Sequence, residues 1–457
     1  TGLHEKQSVF HFTFRRHPFK GGFAVFAGLG TFMDFLQDFR FSDCDLDYLH
    51  TLKNGDHFPL FEEGFLDYLR TMEFSCDIDS VPEGTVVFPY EPLVRLKGPL
   101  IQAQILESAL LNIINFQKLI ATKAARIKQA AGSNMLVEFG MRRAQGLDGA
   151  ISASRASIIG GCDATSNVLA GKIFSIPIKG TMSHSWVMAF EKELTAFQEF
   201  AKILPNHADF LIDTYNSISG VEKAIEATLQ LKKEGFSLLA VRLDSGDLAK
   251  LSIKIRKLLD AAGLYSTKIM ASNELDEHLI GSLKEKGANI TLWCVGTNLV
   301  TGKDQTAFDG VYKLSCLQDK KGNWIDKIKL SEEREKTTTP GILQVKRAFS
   351  KGKYLYDIVY DEKIGLNNLE EIYHPVTKEK KNIEEVHEIK DLMIPIFTKG
   401  KKVYFSPSIS SIKEVVKREL LCLDSPVKKL VSSTPYFVGL EKSLFQKRQK
   451  LIREGAF

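Results

Sequence analysis

Between residues 134 and about 318, short apolar runs end in polar and small residues, and stretches apolar at every third or fourth position follow them. The runs begin near Met135, Ile158, Ile176, Phe210, Leu238, Lys268, Ile290 and Val311. The helical pattern between them is clearest over 221–234 and 248–262. Polar run ends recur every ~25–30 residues, at Asp213, Asp244, Ser272 and Gly296, which is the length of a βα unit. About eight such units close a barrel. A doubly wound open sheet is the competing architecture, and it too would gather ligands at strand C-termini.

Outside this stretch the rhythm differs. Residues 1–130 alternate short apolar runs with turns and include a turn and strand at 81–89. Over 100–128, Ile105, Ala109, Ile113, Phe116 and Ile120 recur with helical spacing until the break around Gly132. Beyond 318 come short strands and charged turns, as at 344–347 and 354–360, and a basic helix over about 440–454. The expected division is an N-terminal α/β domain over 1–130, a catalytic α/β barrel over 131–318, and a C-terminal region over 319–457. The strands of that last region are expected to complete the N-terminal sheet.

Composition narrows the function classes. The chain has 457 residues, 44% of them hydrophobic, enough for two or three domains with real cores. A net charge of +5 over this length suits anionic small molecules better than a nucleic-acid groove, which needs a concentrated basic stripe. Lysine runs at 378–381 and 399–402 lie among turn residues and read as solvated loops. Six scattered cysteines show no paired metal spacing and read as reduced, mostly buried thiols of a cytoplasmic protein. No apolar stretch reaches the length of a membrane span, and the first residues do not read as a signal peptide. The absence of an initiator methionine suggests that the numbering begins inside the natural protein.

The candidate chemistry sits at the ends of the apolar runs. His184 follows the run at 175–180 and the small residues Gly180, Thr181 and Ser183, which places an imidazole at a strand mouth. A lone histidine is more often a core or capping residue, but polar groups at four run ends in register argue for a site. Arg242 and Asp244 alternate on a strand and project to one face, pairing a phosphate-grade donor with an acceptor for ribose hydroxyls or hydrated Mg²⁺. Gly296 allows close approach of an anion, with Thr297 and the following N–H groups beside it. Phe139, Arg142 and Arg143 at the first run end suit a flat, anionic aromatic ring.

Over essentially its whole length the sequence resembles nicotinate phosphoribosyltransferases. The resemblance is carried by Phe14-Arg15-Arg16-x-Pro18-Phe19, Gly21-Gly22-Phe23-Ala24, the segment 121–126, and Phe139-Gly140-Met141-Arg142-Arg143-Ala144. It continues through the segment 165–171, Gly180-Thr181-Met182-Ser183-His184-Ser185, the segment 242–247 and Gly296-Thr297. The resemblance implies the type II phosphoribosyltransferase fold, an irregular (β/α) barrel with an α/β domain built from N- and C-terminal segments. It implies a homodimer with shared active sites and an ATP-coupled transfer of phosphoribosyl from phosphoribosyl pyrophosphate to nicotinate, with Mg²⁺. His184 is then the histidine that ATP phosphorylates and Asp213 its orienting partner. Arg242 and Asp244 hold phosphate and ribose, and Gly296 and Thr297 cradle the 5′-phosphate. Phe139 and Arg142 lie beside the pyridine ring, Ser166 reads its substituent, and Arg15 or Arg16 reaches the neighbouring subunit's phosphates. The family usually carries, upstream of this start, a Thr-Asp-x-Tyr segment whose tyrosine stacks on the base, so an incomplete pocket is also expected. The nicotinamide enzyme of the same fold and a catalytically silent ligand-binding homologue are the alternatives.

Overall fold

A computed structural model describes residues 2–366, 369–383, 386–431 and 434–455. The chain forms two compact units. One comprises Thr1–Phe116, Asp309–Pro407 and Glu419–Phe457, and the other Gln117–Phe308 and Ser408–Arg418. The divisions therefore fall near 116 and 308 rather than at 130 and 318, and a short C-terminal segment belongs with the barrel. Lys413 anchors that segment: its Nζ donates to Asp163 Oδ1 at 2.7 Å and to the Cys162 carbonyl at 2.9 Å.

The Gln117–Phe308 unit is built on six parallel strands: β1 Met135–Glu138, β2 Ala164–Thr165, β3 Asp209–Leu211, β4 Ala240–Leu243, β5 Lys268–Ala271 and β6 Leu292–Val295. Their order is β2-β1-β6-β5-β4-β3. The first strand pairs with the last, and every other neighbour in sequence is a neighbour in space except β2 and β3. That is the cyclic order of a barrel with one seam, not of a doubly wound sheet. The seam is partly filled by a lone parallel bridge from Thr165 to Ile178.

Two expected strands lie elsewhere. The run near Ile158 falls in the helix Leu147–Gly160, buried continuously from Ala153 to its end. A short apolar run cannot by itself distinguish a buried strand from a buried helix. The run near Val311 forms the strand Gly310–Gln318, which pairs with Gln7–Phe14 in the other unit. The barrel thus has six strands and one bridge among the described residues, not about eight units.

Alternation sorts the strand faces. Val137, Ala164, Ala240, Met270, Leu292 and Cys294 form one buried cluster in the lumen. Phe210 points outward instead and stacks on Phe197 of the helix Glu193–Ile203 at 4.8 Å. The outer helices start on short polar caps: Asn216 Oδ1 accepts from the Ile218 and Ser219 N–H groups, and Asp247 Oδ1 accepts from Lys250 N–H. Gly220 is required by packing, since a Cβ there would lie 1.9 Å from the Ile212 carbonyl oxygen.

The unit of chain ends holds two larger sheets. The seven-stranded one runs Trp324–Asp326, Gly310–Gln318, Gln7–Phe14, Val94–Pro99, Asp77–Ser80, Ile394–Thr398, Lys401–Lys402. C-terminal strands do extend the N-terminal sheet, but Leu343–Ser350, Lys353–Asp361 and Val438–Glu441 build a separate six-stranded sheet. The expected helix over 100–128 is two helices, Leu100–Ile105 and Glu107–Ala131. All six cysteines are free, and four of them are buried.

Candidate active site

Parallel strands deliver their C-terminal ends to one side of the barrel, so the residues that follow them are gathered there. Arg242 is the hub. Its guanidinium donates from Nε to Ser272 Oγ at 3.0 Å, from Nη1 to Thr181 Oγ1 at 2.7 Å and from Nη2 to Asp244 Oδ1 at 3.2 Å. Its Cζ also lies 5.8 Å from the centre of the Phe139 ring. Ser272 donates in turn to Asp244 Oδ1. The fork of donors is thus held rigid by three partners from different segments, as planar recognition of phosphate or carboxylate requires.

His184 opens the short helix His184–Met188, capped by Ser183, inside the stretch that spans the barrel seam. The run at 175–180 before it forms a single bridge at Ile178 in place of the expected strand. Its Nδ1 lies 3.2 Å from Thr214 Oγ1 and its Nε2 lies 3.6 Å from Asp244 Oδ2; 42% of its side chain is exposed. Asp213 is not the group that orients it. Asp213 Oδ2 accepts from the Asp244 N–H at 2.7 Å and from Ser245 Oγ at 2.6 Å, which commits that oxygen to the loop after β4. Asp213 Oδ1 is buried without a hydrogen-bond partner among the described residues. The imidazole is held by the neighbouring residue, Thr214, and faces Asp244.

Across the barrel, Glu138 is fully buried at the end of β1. It accepts from the Gly140 N–H, from Ser154 Oγ at 2.8 Å and from Thr165 Oγ1 at 2.5 Å, and its carbonyl takes the Ser166 N–H at 2.9 Å. Glu138 therefore holds the residues beside Phe139 and Ser166, Gly140 and Thr165 through its carboxylate and Ser166 itself through its carbonyl. The Ser166 hydroxyl makes no hydrogen bond among the described residues, and the helix Val168–Phe174 is capped by Asn167 instead. Arg142 is exposed in the turn Met141–Arg143. Gly296 precedes the short helix Thr297–Val300, and a Cβ on it would come within 3.0 Å of the Phe139 carbonyl oxygen.

The barrel end thus brings together His184, Asp213, Arg242 and Asp244, and the strand ends bearing Phe139, Ser166, Gly296 and Thr297 open on the same side. Arg15 and Arg16 belong to the unit of chain ends. There Arg16 Nη2 pairs with Glu335 Oε2 at 3.1 Å on the surface, and Arg15 lines a polar cleft with His11, Tyr90 and Lys313. Sequence reading passed over Thr181, Thr214, Ser245 and Glu138 as site residues and used Ser272 only as a spacing mark. All five follow or end an apolar run, which was the available signal.

Known proteins match this arrangement along the whole chain. Family patterns described as nicotinate phosphoribosyltransferase N-terminal domain, family and C-terminal domain match residues 1–115, 135–353 and 344–448. The Bacillus subtilis (strain 168) nicotinate phosphoribosyltransferase is 42% identical, covering 99% of this chain and 92% of that one. This chain belongs to the nicotinate phosphoribosyltransferase family. The human family member is 31% identical over 95% of this chain and 90% of its own. The crystal structure of human nicotinic acid phosphoribosyltransferase superposes with a TM-score of 0.85 at 27% identity, covering 98% of this chain and 96% of that chain. A nicotinate-nucleotide pyrophosphorylase from Pyrococcus furiosus, at 24% identity and a TM-score of 0.67, shares the fold. The type II phosphoribosyltransferase fold expected of the family is the one observed.

Proposed function

We propose that the barrel mouth transfers phosphoribosyl from phosphoribosyl pyrophosphate to nicotinate, releasing pyrophosphate and forming nicotinate mononucleotide for NAD salvage. The observation that carries this reading is the Arg242 fork, clamped by Thr181, Ser272 and Asp244 beside the Phe139 ring in a chain of this family. The pyridine nitrogen attacks the anomeric carbon as pyrophosphate leaves, through an oxocarbenium-like state, so the protein's work is positioning and charge stabilisation. Arg242 and Asp244 take phosphate and ribose, Gly296 and Thr297 the 5′-phosphate, and Phe139 and Arg142 the ring. Ser166 favours nicotinate over nicotinamide. Its free hydroxyl donates to a carboxylate, whereas an acid at that position would repel one.

In the same reading ATP phosphorylates His184. Thr214 holds Nδ1, which leaves Nε2 turned toward Asp244, and the half-exposed ring is accessible to a nucleotide. The donor set suits Mg²⁺ arriving with its polyphosphate. No cluster of three or more candidate ligands exists among the described residues, and Mg²⁺ needs only one or two carboxylates besides substrate oxygens and water. Asp213, with its unpartnered Oδ1, and Asp244 would hold it, and it would supply charge neutralisation on the leaving group. A homodimer is supported by large apolar side chains left exposed on the helices beside the mouth, Leu147 at 74% and Val168 at 66% among them. Arg15 or Arg16 then reaches the partner's phosphates, and the free thiols suit a cytoplasmic setting. No described helix is long and apolar enough to cross a membrane.

The test supplies labelled nicotinate or labelled nicotinamide with phosphoribosyl pyrophosphate, with and without ATP. Nicotinate mononucleotide should form in preference, faster with ATP, and γ-labelled ATP should leave an acid-labile label that His184→Ala abolishes. Preferential use of nicotinamide would overturn the substrate assignment, and label persisting in the variant would remove His184 from its role.

A further inference from the structure

Asp209 stands at the start of β3, opposite Ala240 and two residues below the Leu211–Arg242 pair, on the strand face that alternation turns into the lumen. It is 3% exposed, it has no hydrogen bond among the described residues, and its Oδ1 is sealed from solvent. A bare carboxylate in such a place is costly. The lumen cluster beside it is apolar, consisting of Val137, Ala164, Ala240, Met270, Leu292 and the thiol of Cys294. The charges acting on it are Lys179 and Arg242, and both act through space, the side-chain hydrogen bonds of Arg242 going to Thr181, Ser272 and Asp244. Burial outweighs the two cations and lifts the Asp209 carboxyl to about 7. The same lumen pushes the Cys294 thiol up to about 12, chiefly by burial, with Asp209 and Asp244 adding to the shift and Arg242 and Lys179 opposing it.

We propose that Asp209 is a positioning residue that takes up one proton as nicotinate enters the barrel mouth, so that nicotinate binding is proton-coupled. The base brings a full negative charge toward the lumen that Asp209 and Arg242 share. With Asp209 ionised, the two anions compete for the same positive field; with Asp209 protonated, the guanidinium charge serves the substrate alone. Each anion thus raises the other's cost, and the proton resolves the conflict. Nicotinamide is neutral and calls for no such uptake. The proton comes from solvent on binding and returns to it on product release, so no redox or covalent step is involved.

This rests on nicotinate being the substrate, which turnover by the unmodified protein tests alone. At saturating phosphoribosyl pyrophosphate, KM for nicotinate should rise above pH 7, by up to about tenfold per pH unit, with kcat nearly level. In Asp209→Asn, which mimics the neutral acid, KM should stay low and flat from pH 7 to 9, while Asp209→Glu keeps the slope. Calorimetry of nicotinate binding in buffers of different ionisation heat should show close to one proton taken up near pH 8 by the unmodified protein and none by the Asn variant. The unmodified protein's uptake serves as the measure should the variant fail to fold. A KM slope unchanged in Asp209→Asn, or no proton uptake by a protein that turns over nicotinate, would overturn the proposal and leave the substrate assignment intact.

Discussion

The barrel mouth and the buried Arg347 cluster of the other unit treat charge in opposite ways. In the unit of chain ends, Arg347 is 1% exposed and its guanidinium is saturated. It donates to Asp357 from Nε at 2.9 Å and from Nη2 at 2.6 Å, approaches Glu91 at 3.6 Å, and lies 4.4 Å from the Tyr354 ring centre. Tyr436 donates to the same Asp357 at 2.9 Å. At the barrel mouth, charges are clamped on one side only. Among the described residues, Asp213 has one bonded oxygen and one bare, Asp209 Oδ1 has no hydrogen-bond partner, and His184 is half-exposed. A closed network fixes a fold, whereas an open one leaves valence for a ligand, and the difference should separate stability from activity under mutation.

The largest expected effect breaks the closed side. Arg347→Met should destabilise the protein by about 3–5 kcal/mol, because Asp357 is left buried without its cation. Burial and Asp357 already push the Glu91 carboxyl well above its usual range, and Arg347 opposes them together with the Phe88 N–H. Urea unfolding is the measure; a loss under ~1 kcal/mol would mean that the cluster is not closed as described.

The open side should respond in rate instead. Arg242→Ala should cut kcat/KM by about 10²–10³, or roughly 3–4 kcal/mol of transition-state stabilisation. The urea midpoint should shift little, since Ser272 still donates to Asp244 and Thr181 keeps the hydrogen bond it already makes to the Met182 carbonyl. Equal damage to stability and rate would erase the distinction between the barrel mouth and the Arg347 cluster.

The same contrast explains what could be read from the sequence. The barrel was legible because periodicity reports burial, and six parallel strands buried on both faces give recurrent apolar runs. His184, Arg242 and Asp244 were legible because strand ends concentrate function, and the structure gathers them. The role of Thr214 was not. Whether a histidine meets residue 213 or 214 depends on how one loop turns, and no spacing rule fixes that. The strand near Ile158 failed because a helix buried all round carries no polar face. Gly310–Gln318 reads as a barrel strand in the sequence, because local pattern shows that a strand exists but not with which edge it pairs. Asp209 escaped notice because a polar residue at the start of an apolar run looks like a turn.

A middle-sized effect comes from pH on the closed side. His11 is buried, its Nε2 accepts from the Leu343 N–H at 3.2 Å, and its pKa is lowered to about 3 by burial first and by Arg95 second. For a base with a depressed folded pKa, the unfolded chain binds the proton more readily. Stability is therefore fully present above about 6.5 and is lost as pH falls toward 3. Between pH 8 and pH 5 this one group should cost about 2 kcal/mol, from one and a half pH units below its ordinary value. The difference in unfolding free energy between the unmodified protein and His11→Gln should narrow by that amount over the same range. A constant difference would mean that His11 is charged or solvated in the folded protein.

The smallest effect tests how far the open site tolerates loss of one support. Ser245 is exposed, and its hydroxyl donates to Asp213 Oδ2 at 2.6 Å. The same oxygen also takes the Asp244 N–H at 2.7 Å, so the carboxylate stays anchored to the loop after β4 when the hydroxyl is removed. A hydrogen bond to a charged group is worth about 1.5–3 kcal/mol where water is excluded and less where water can replace it. Ser245→Ala should accordingly lower kcat/KM by about three- to tenfold and leave the unfolding midpoint unchanged. Asp213→Ala removes the anchor and the bare Oδ1 together, and it should cost at least ten times more activity than the serine change. Equal losses in the two variants would mean that the serine, not the carboxylate, is what the loop after β4 depends on, and the bare oxygen of Asp213 would then have no part in holding the substrate's metal.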